Sequence, residues 1–276
     1  MTGRGPGPCR VRELLDIMAR LRAPGGCPWD REQTFATIAP FTIEEAYEVA
    51  DAAARADLSD LKGELGDLLF QVVFYSQIAA EGGHFDFEAV AAAMCEKLIR
   101  RHPHVFGEAG QWTAAEQSRA WEDIKARERL EAADSTSTAA EAPSHVGGVP
   151  QALPALMRAH KLSKRAARVG FDFEHASQAA DKVAEELAEV REAAARHGAH
   201  GPSVEIFEEV GDLLFAAANL ARKLEVDAEA ALRAANAKFE RRFRGMETLA
   251  QKRGETFADL SLEAQERLWQ AVKLAE

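Results

Sequence analysis

The stretch Glu64-Leu-Gly-Asp-Leu-Leu-Phe70 recurs in the second half of the chain as Glu209-Val-Gly-Asp-Leu-Leu-Phe215. In each copy a Glu and an Asp stand three residues apart, and residues at that spacing share one face of a helix. The surrounding apolar residues recur at helical spacing and cover most of the circumference. Each copy therefore predicts a helix that carries a narrow acidic strip on an otherwise apolar surface.

A Glu-x-x-Glu motif precedes each of these stretches, and two acidic edges can meet across a helix pair. Like charges on one face repel, and carboxylates in an apolar setting need a partner. Oxygen ligands without His favour Mg²⁺, with Mn²⁺ as a substitute, over iron or zinc. The predicted metal ligands are Glu186, Glu189, Glu209 and Asp212, with a second site at Glu45, Glu48, Glu64 and Asp67. The alternative interpretation is that these acids are the solvated edges of amphipathic helices.

The agreement between the two halves extends well beyond the acids and indicates a tandem duplication. The other matching positions are Lys97, Arg100, Arg101 and Trp121 in the first half and Lys238, Arg241, Arg242 and Trp269 in the second. We expect helical domains at residues 8–130 and 151–276. The small, polar, breaker-rich residues 131–150 read as a linker between them.

The coarse secondary structure is helical throughout, because period-2 alternation of β-branched residues is absent. The prediction is an all-α fold of tandem duplicated helical-bundle domains, with about four helices in each half. The candidate helices of the first half are residues 11–22, 42–55, 59–80, 87–100 and 114–128. We expect Thr42, Ser59 and Asp86 to be N-caps, and Gly82-Gly83 and Pro103 to be stops.

Composition restricts the class of partner. The 276 residues include 34 basic and 45 acidic side chains, for a net charge of −11. Such an acidic chain is a poor general binder of nucleic-acid polymers or anionic membranes. Cys9, Cys27 and Cys95 are an odd number with no close pair, which favours a reducing, cytoplasmic compartment. No apolar segment reaches membrane-spanning length, and residues 1–10 lack the apolar core of a signal peptide.

A phosphate-bearing ligand is expected, since Mg²⁺ in proteins is commonly shared between carboxylates and substrate phosphates. The basic cluster Lys238, Arg241 and Arg242 suits phosphate oxygens, although a solvated helix face is the alternative. Trp269 is equally suited to stacking on a base or to anchoring a core. One acid not fully committed to metal, for which Glu185 is the candidate, would accept the proton of an attacking water.

These motifs, together with Arg101-His-Pro-His-Val-Phe106 and Gly26-Cys-Pro-Trp-Asp30, resemble the two-domain MazG nucleoside triphosphate pyrophosphohydrolases. The resemblance covers nearly the whole chain. It implies an all-α, Mg²⁺-dependent homodimer that converts an NTP or dNTP to the monophosphate and pyrophosphate, in nucleotide-pool house-cleaning or in lowering an alarmone. It implies that the metal ligands are the four second-half acids. The nucleotide contacts that it implies are Lys182, Glu185, Lys238, Arg242 and Trp269.

The two halves are not equivalent. Alignment on the acids places Lys182 opposite Phe41, Asn219 opposite Phe74, and Asn236 opposite Cys95. Three polar groups that could contact substrate are thus apolar or nearly so in the first half. We expect the second half to be the principal catalytic domain and the first to be weak or regulatory. Rival interpretations are a base-specific dUTP-type hydrolase on the same bundle and a non-catalytic helical scaffold, while His84, His102 and His104 read as structural.

Overall fold

A computed structural model describes residues 10–107, 144–197 and 203–276, and also residues 113, 117, 120, 121, 124 and 128. Every regular element in this part of the chain is helical, which confirms the all-α prediction. The chain divides into two compact units, Met1–Ala132 and Ala133–Glu276. Among the described helices, none combines the length and the apolar character that crossing a membrane requires.

The first unit contains six described helices around one apolar core. They are α1 (Arg10–Arg22), α2 (Pro28–Glu32), α3 (Phe35–Ala54), α4 (Leu58–Glu81), α5 (Phe87–Arg101) and α6 (Pro103–Phe106). Helices α1 and α3 both pack on α4. The core between them consists of Met18, Ile38, Val73 and Phe74, all essentially inaccessible to solvent. Of the expected helix at 114–128, the described residues 117, 120, 121, 124 and 128 are helical, and the rest lie outside the described residues.

Helix α3 begins seven residues before the predicted start at Thr42. Its N-cap is Thr34, whose hydroxyl accepts from the Thr37 amide in a reciprocal capping box, so the assignment of Thr42 as a cap was wrong. Helix α3 continues through Pro40, although an interior proline removes a backbone donor and usually breaks a helix. Here the turn before Pro40 is held by the cap and by Ile38, which is 1% exposed in the core.

Helix α4 also has a different cap from the predicted one. Asp57, and not Ser59, accepts the hydrogen bonds of the free amides, at 3.1 Å from the nitrogens of Ser59 and Asp60. Asp and Ser are comparable N-caps, and the Asp57 carboxylate is stabilised in addition by the partial positive charge of the helix N-terminus. Two other predicted boundaries are confirmed, since Asp86 caps α5 and Gly82 ends α4. Helix α5 also ends before Pro103, as predicted, but Pro103 itself begins the short helix α6.

The second unit repeats this plan with five α-helices among its described residues. They are α7 (Ala155–Arg168), α8 (Ala176–His197), α9 (Val204–Lys223), α10 (Ala228–Lys252) and α11 (Leu262–Leu274), with a 3₁₀ turn at Phe257–Asp259. Helices α7 and α8 pack on α9, and α11 packs on α10. A buried cluster of Met246, Ala250 and Leu268 joins α10 to α11. Of the expected linker, residues 131–143 lie outside the described part, and Val149 is buried and belongs to the second unit.

Candidate metal and nucleotide site

The acids of the second half come together where α8 packs along α9. Carboxylate oxygens of Glu186, Glu209 and Asp212 all lie within 4.8 Å of one another. Glu186 is buried, with 6% of its surface exposed. The fourth predicted ligand, Glu189, is hydrogen-bonded to Glu186, and this bond, followed by desolvation, raises the pKa of Glu189. The crowding of like charges thus favours the protonated form of Glu189.

Lys182 and Glu185 join this acidic cluster from the preceding turn of α8. The Lys182 ammonium lies 2.7 Å from a carboxylate oxygen of Glu185 and 2.8 Å from one of Glu186. These partners, Glu185 first, raise the pKa of Lys182. Lys182 therefore stays charged at neutral pH and offsets part of the negative charge of the cluster.

The acids of the first half meet between α3 and α4 in the same way. Carboxylate oxygens of Glu45, Glu48 and Glu64 lie within 4.8 Å of one another. Desolvation, and then the charge of Asp67, raises the pKa of Glu45. Desolvation, and then the charge of Glu48, raises the pKa of Glu64. At the position of Lys182 this half has Phe41, which packs edge-on against Trp29 with ring centroids 6.0 Å apart.

The predicted phosphate-binding arginines have an internal partner. Arg241 and Arg242 both donate to the carboxylate of Glu276, at 2.8 Å and 2.7 Å. Hydrogen bonds from Arg242 first and Arg241 second lower the pKa of Glu276 to about 2. The Arg242 guanidinium lies 5.6 Å from the ring centroid of Trp269. Trp269 in turn packs against the core of α10 and α11, so it has an anchoring role whether or not it also contacts a nucleotide.

The first half contains the same constellation. Arg100 and Arg101 both bind the carboxylate of Glu128, and the Arg101 guanidinium lies 6.0 Å from the Trp121 ring centroid. Hydrogen bonds from Arg101 first lower the pKa of Glu128 to about 2. Glu128 follows Trp121 at the same spacing by which Glu276 follows Trp269. We did not predict these glutamates from sequence, although their equal spacing from the tryptophans is a signal of the repeat.

The remaining predicted contacts are more dispersed. Asn219 is half-buried on α9, and its carbonyl oxygen accepts from the Arg222 Nε at 2.9 Å. Asn236 and Lys238 are exposed on α10, and in the described part of the chain no bond ties them to the acids. His102 packs edge-on against Trp121, with ring centroids 4.9 Å apart, in keeping with a structural role.

A cavity of about 390 Å³ lies beside α9, between α7 and the residues that follow it. Aromatic side chains supply much of its wall, and the Asp172–Arg222 ion pair supplies a polar edge. We did not predict this cavity from sequence. The available signal was Asn219, which stands where the first half has Phe74.

Comparison with known proteins gives a consistent assignment. Residues 33–106 match the MazG nucleotide pyrophosphohydrolase domain, and residues 153–239 match the phosphoribosyl-ATP pyrophosphohydrolase family. The chain is 51% identical over 268 residues to the nucleoside triphosphate pyrophosphohydrolase of Escherichia coli K12, covering 97% of this chain and 98% of that protein. It is 42% identical over 261 residues to the nucleoside triphosphate pyrophosphohydrolase/pyrophosphatase MazG of Thermotoga maritima, covering 95% and 94%. The chain therefore belongs to the MazG family of nucleoside triphosphate pyrophosphohydrolases.

Proposed function

We propose that this chain hydrolyses nucleoside triphosphates to monophosphates and pyrophosphate at a divalent-metal site in its second half. The observation that carries the proposal is the meeting of Glu186, Glu209 and Asp212 within 4.8 Å across two helices, with Glu189 bonded to Glu186. Both matched family models describe pyrophosphohydrolases, and the relatives that cover nearly the whole chain bear the same name.

The donor set fits Mg²⁺, with Mn²⁺ as a substitute. Every candidate ligand is a carboxylate oxygen, and the cluster carries more negative charge than Lys182 offsets. The metal ligands that we propose are Glu186, Glu189, Glu209 and Asp212. A bound Mg²⁺ would offset the triphosphate charge and make water a better nucleophile at neutral pH.

The side chains around the cluster supply the other functions in this proposal. Glu185 is exposed, and its one bonded partner among the described residues is Lys182, so a carboxylate oxygen can accept a proton from the attacking water. Lys182 bridges Glu185 and Glu186 and presents its charge at the mouth of the cluster. Arg241 and Arg242 would release the Glu276 carboxylate and bind phosphate oxygens in its place. A phosphate group can replace the carboxylate because each offers a pair of acceptor oxygens to the guanidinium groups.

We further propose that the enzyme is a homodimer that works in the cytoplasm. Helix α9 exposes an apolar stripe at helical spacing, formed by Val204, Phe207, Val210 and Leu214. A contiguous stripe of this kind favours a protein partner, and a second copy offers a matching surface. Unpaired Cys27 and Cys95 fit a reducing compartment. The net charge of −11 argues against a nucleic-acid polymer as partner.

Pyrophosphate release from the common NTPs and dNTPs, with and without Mg²⁺, tests the proposal. We expect release from several nucleotides that depends on Mg²⁺ and is partly restored by Mn²⁺. A base-specific dUTP-type hydrolase would act on a single nucleotide. A scaffold would release no pyrophosphate from any of them, and that result would overturn the proposal.

A further inference from the structure

An ion-pair network joins the ends of the two helices that carry the second-half acids. Arg196, in the last turn of α8, forms an ion pair with Glu205 in the first turn of α9, and His197 lies 2.6 Å from the other oxygen of the same carboxylate. A longer contact of 3.7 Å links Arg196 to Glu192, one turn earlier on α8. Hydrogen bonds from His197 first and Arg196 second lower the pKa of Glu205, so this carboxylate stays charged at neutral pH.

The first half contains the same ion pair at aligned positions. Arg55, which directly follows α3, contacts Asp60 in the first turn of α4. Arg55 and Arg196 each follow the second glutamate of the Glu-x-x-Glu motif by seven residues, and each paired acid precedes the next acidic motif by four. Four residues separate the first-half pair in the sequence, whereas eight separate Arg196 from Glu205. The pair is therefore tied to the two helices and not to one length of connection between them.

The ion pair also lies in line with the proposed metal ligands on both helices. Arg196 follows Glu189 by seven residues on α8. Glu205 precedes Glu209 by four residues on α9. At 100° per residue, both separations return to within about 40° of the same helix face, at axial distances of about 10.5 Å and about 6 Å. A pair in this position limits how far one helix can slide past the other.

Apolar packing defines the register of these two helices only weakly. Helices α8 and α9 pack on each other, and apart from Glu186 their buried residues are all alanines. Short side chains form shallow ridges and grooves, which interlock less firmly than those of larger residues. An axial slide by the rise of one residue is about 1.5 Å. Mg²⁺ requires near-ideal octahedral geometry at about 2.1 Å from its ligands, so such a slide would disrupt a ligand set drawn from both helices.

We propose that Arg196 is a positioning residue of the metal site, and that its ion pair with Glu205 fixes the register of α8 against α9. The acids of the two helices are thereby held opposite one another before a cation binds. The proposal rests on the function proposed above, because it takes these acids to be the metal ligands. Arg196 acts through the helices and is not itself a ligand.

A direct electrostatic role of Arg196 would have the opposite effect on metal binding. Its hydrogen bond to Glu205 is the main cause that raises the pKa of Arg196, and the charge of Glu209 adds a smaller contribution. A cation near the acids repels a second cation, so removal of Arg196 would strengthen metal binding if charge alone mattered. If Arg196 fixes the register, its removal weakens metal binding. The sign of the change therefore separates the two roles.

Titration of Mn²⁺ into the full chain, followed by the electron paramagnetic resonance signal of free Mn²⁺, measures metal binding without relying on turnover. All variants carry Glu64→Gln, which weakens the acidic cluster of the first half, and are compared at a temperature at which thermal unfolding shows them to be folded. We expect Arg196→Ala to raise the Mn²⁺ dissociation constant at least threefold. Arg55→Ala, the aligned change in the first half, is the matched control and should leave the constant within twofold.

Reversal of the ion pair tests the register separately from stability. Arg196→Glu places two carboxylates together and should weaken Mn²⁺ binding more than Arg196→Ala does. Adding Glu205→Arg to Arg196→Glu restores an ion pair and should return the dissociation constant to within twofold of the parent.

Unchanged or tighter Mn²⁺ binding in Arg196→Ala would overturn the proposal, as would a reversed pair that binds Mn²⁺ no better than Arg196→Glu alone. Arg196→Gln carries the same expectation if Arg196→Ala does not fold. Failure of the proposed function is distinguishable, because it would appear as absence of pyrophosphate release by the wild type whatever the Mn²⁺ result.

Discussion

Lys182 gives the acids of the second half a fixed positive charge that the aligned first-half residue, Phe41, cannot supply. Its ammonium lies 2.8 Å from Glu186, and the aligned first-half residue is Phe41. A cation held in place by its own helix reduces the repulsion among the carboxylates before any metal binds. The two clusters thus differ in charge balance more than in the number of their carboxylates.

Replacing Lys182 with Met tests this charge balance. The ion pairs of Lys182 are exposed to solvent, so their loss should lower the stability of the metal-free protein only slightly. The stabilisation gained on adding Mg²⁺ should increase, because the cluster becomes more negative. Thermal unfolding in EDTA and in Mg²⁺ measures both effects. Lys161→Met, on the exposed face of α7, is the control, and an identical response of the two variants would contradict the role of Lys182.

Arg242 and Arg101 form a second matched pair of residues. Each binds a glutamate and lies over a tryptophan, so their structural contributions should be similar. Charge-assisted bonds to phosphate are worth about 1.5–3 kcal/mol each. Arg242→Ala should therefore reduce kcat/KM at least about tenfold for every nucleotide, whereas Arg101→Ala should change it by less than about twofold. Equal losses in the two variants would make the arginines structural only.

At the level of single helices, the sequence predicts that a long helix exists better than it predicts the residues at which that helix begins and ends. Apolar periodicity placed α1, α4 and α5 to within about one residue, because a packed apolar face determines which residues are helical. The start of α3 was wrong because a local rule about proline was outweighed by tertiary burial of Ile38. The choice between neighbouring polar residues as caps depends on backbone conformation, which the spacing alone does not fix.

Mutation can distinguish the observed N-cap of α4, Asp57, from the predicted one, Ser59. Asp57 accepts two amide hydrogen bonds, whereas Ser59 lies inside the first turn. Removal of an N-cap costs about 1 kcal/mol, while an exposed substitution away from such features stays within about 0.5 kcal/mol. Urea unfolding followed by circular dichroism should show a lower midpoint for Asp57→Ala than for Ser59→Ala. The reverse order would restore Ser59 as the cap.

Acid should weaken the attachment of the helical residues around Trp121 to α5. The pKa of Glu128 is lowered from its ordinary value of 4.5 to about 2 by Arg101 and Arg100. A lowered carboxyl pKa stabilises the fold above pH 4.5, and this contribution is lost as the pH falls from 4.5 to 2. Solvent limits it to about 1 kcal/mol. Glu128→Gln should reduce the pH dependence of thermal stability in this window, and an unchanged pH profile would contradict the assignment.

For the whole molecule, the duplication provides two copies of one design with different outcomes. Facing acids and the Arg–Glu–Trp constellation occur in both units. The acids were predictable because their spacing is local to each helix. Two other features could not be predicted from the sequence: the pairing of the arginines with Glu128 and Glu276, and the cavity beside Asn219. Both depend on packing that brings together residues distant in sequence. The proposed division of labour rests on the positions where the halves differ, such as Lys182 opposite Phe41 and Asn219 opposite Phe74.

The second-half acids are proposed to form the catalytic metal site, and Glu209→Gln and Glu64→Gln test this proposal most directly. The two residues occupy aligned, half-buried positions on α9 and α4, so their structural costs should be similar. At saturating Mg²⁺, Glu209→Gln should lower the rate of pyrophosphate release at least about 100-fold, because a neutral amide is a poor Mg²⁺ ligand, and Glu64→Gln should lower it less than about twofold. Wild-type activity in Glu209→Gln would contradict the claim, and an inactive Glu64→Gln beside an active Glu209→Gln would show that the catalytic half is the first.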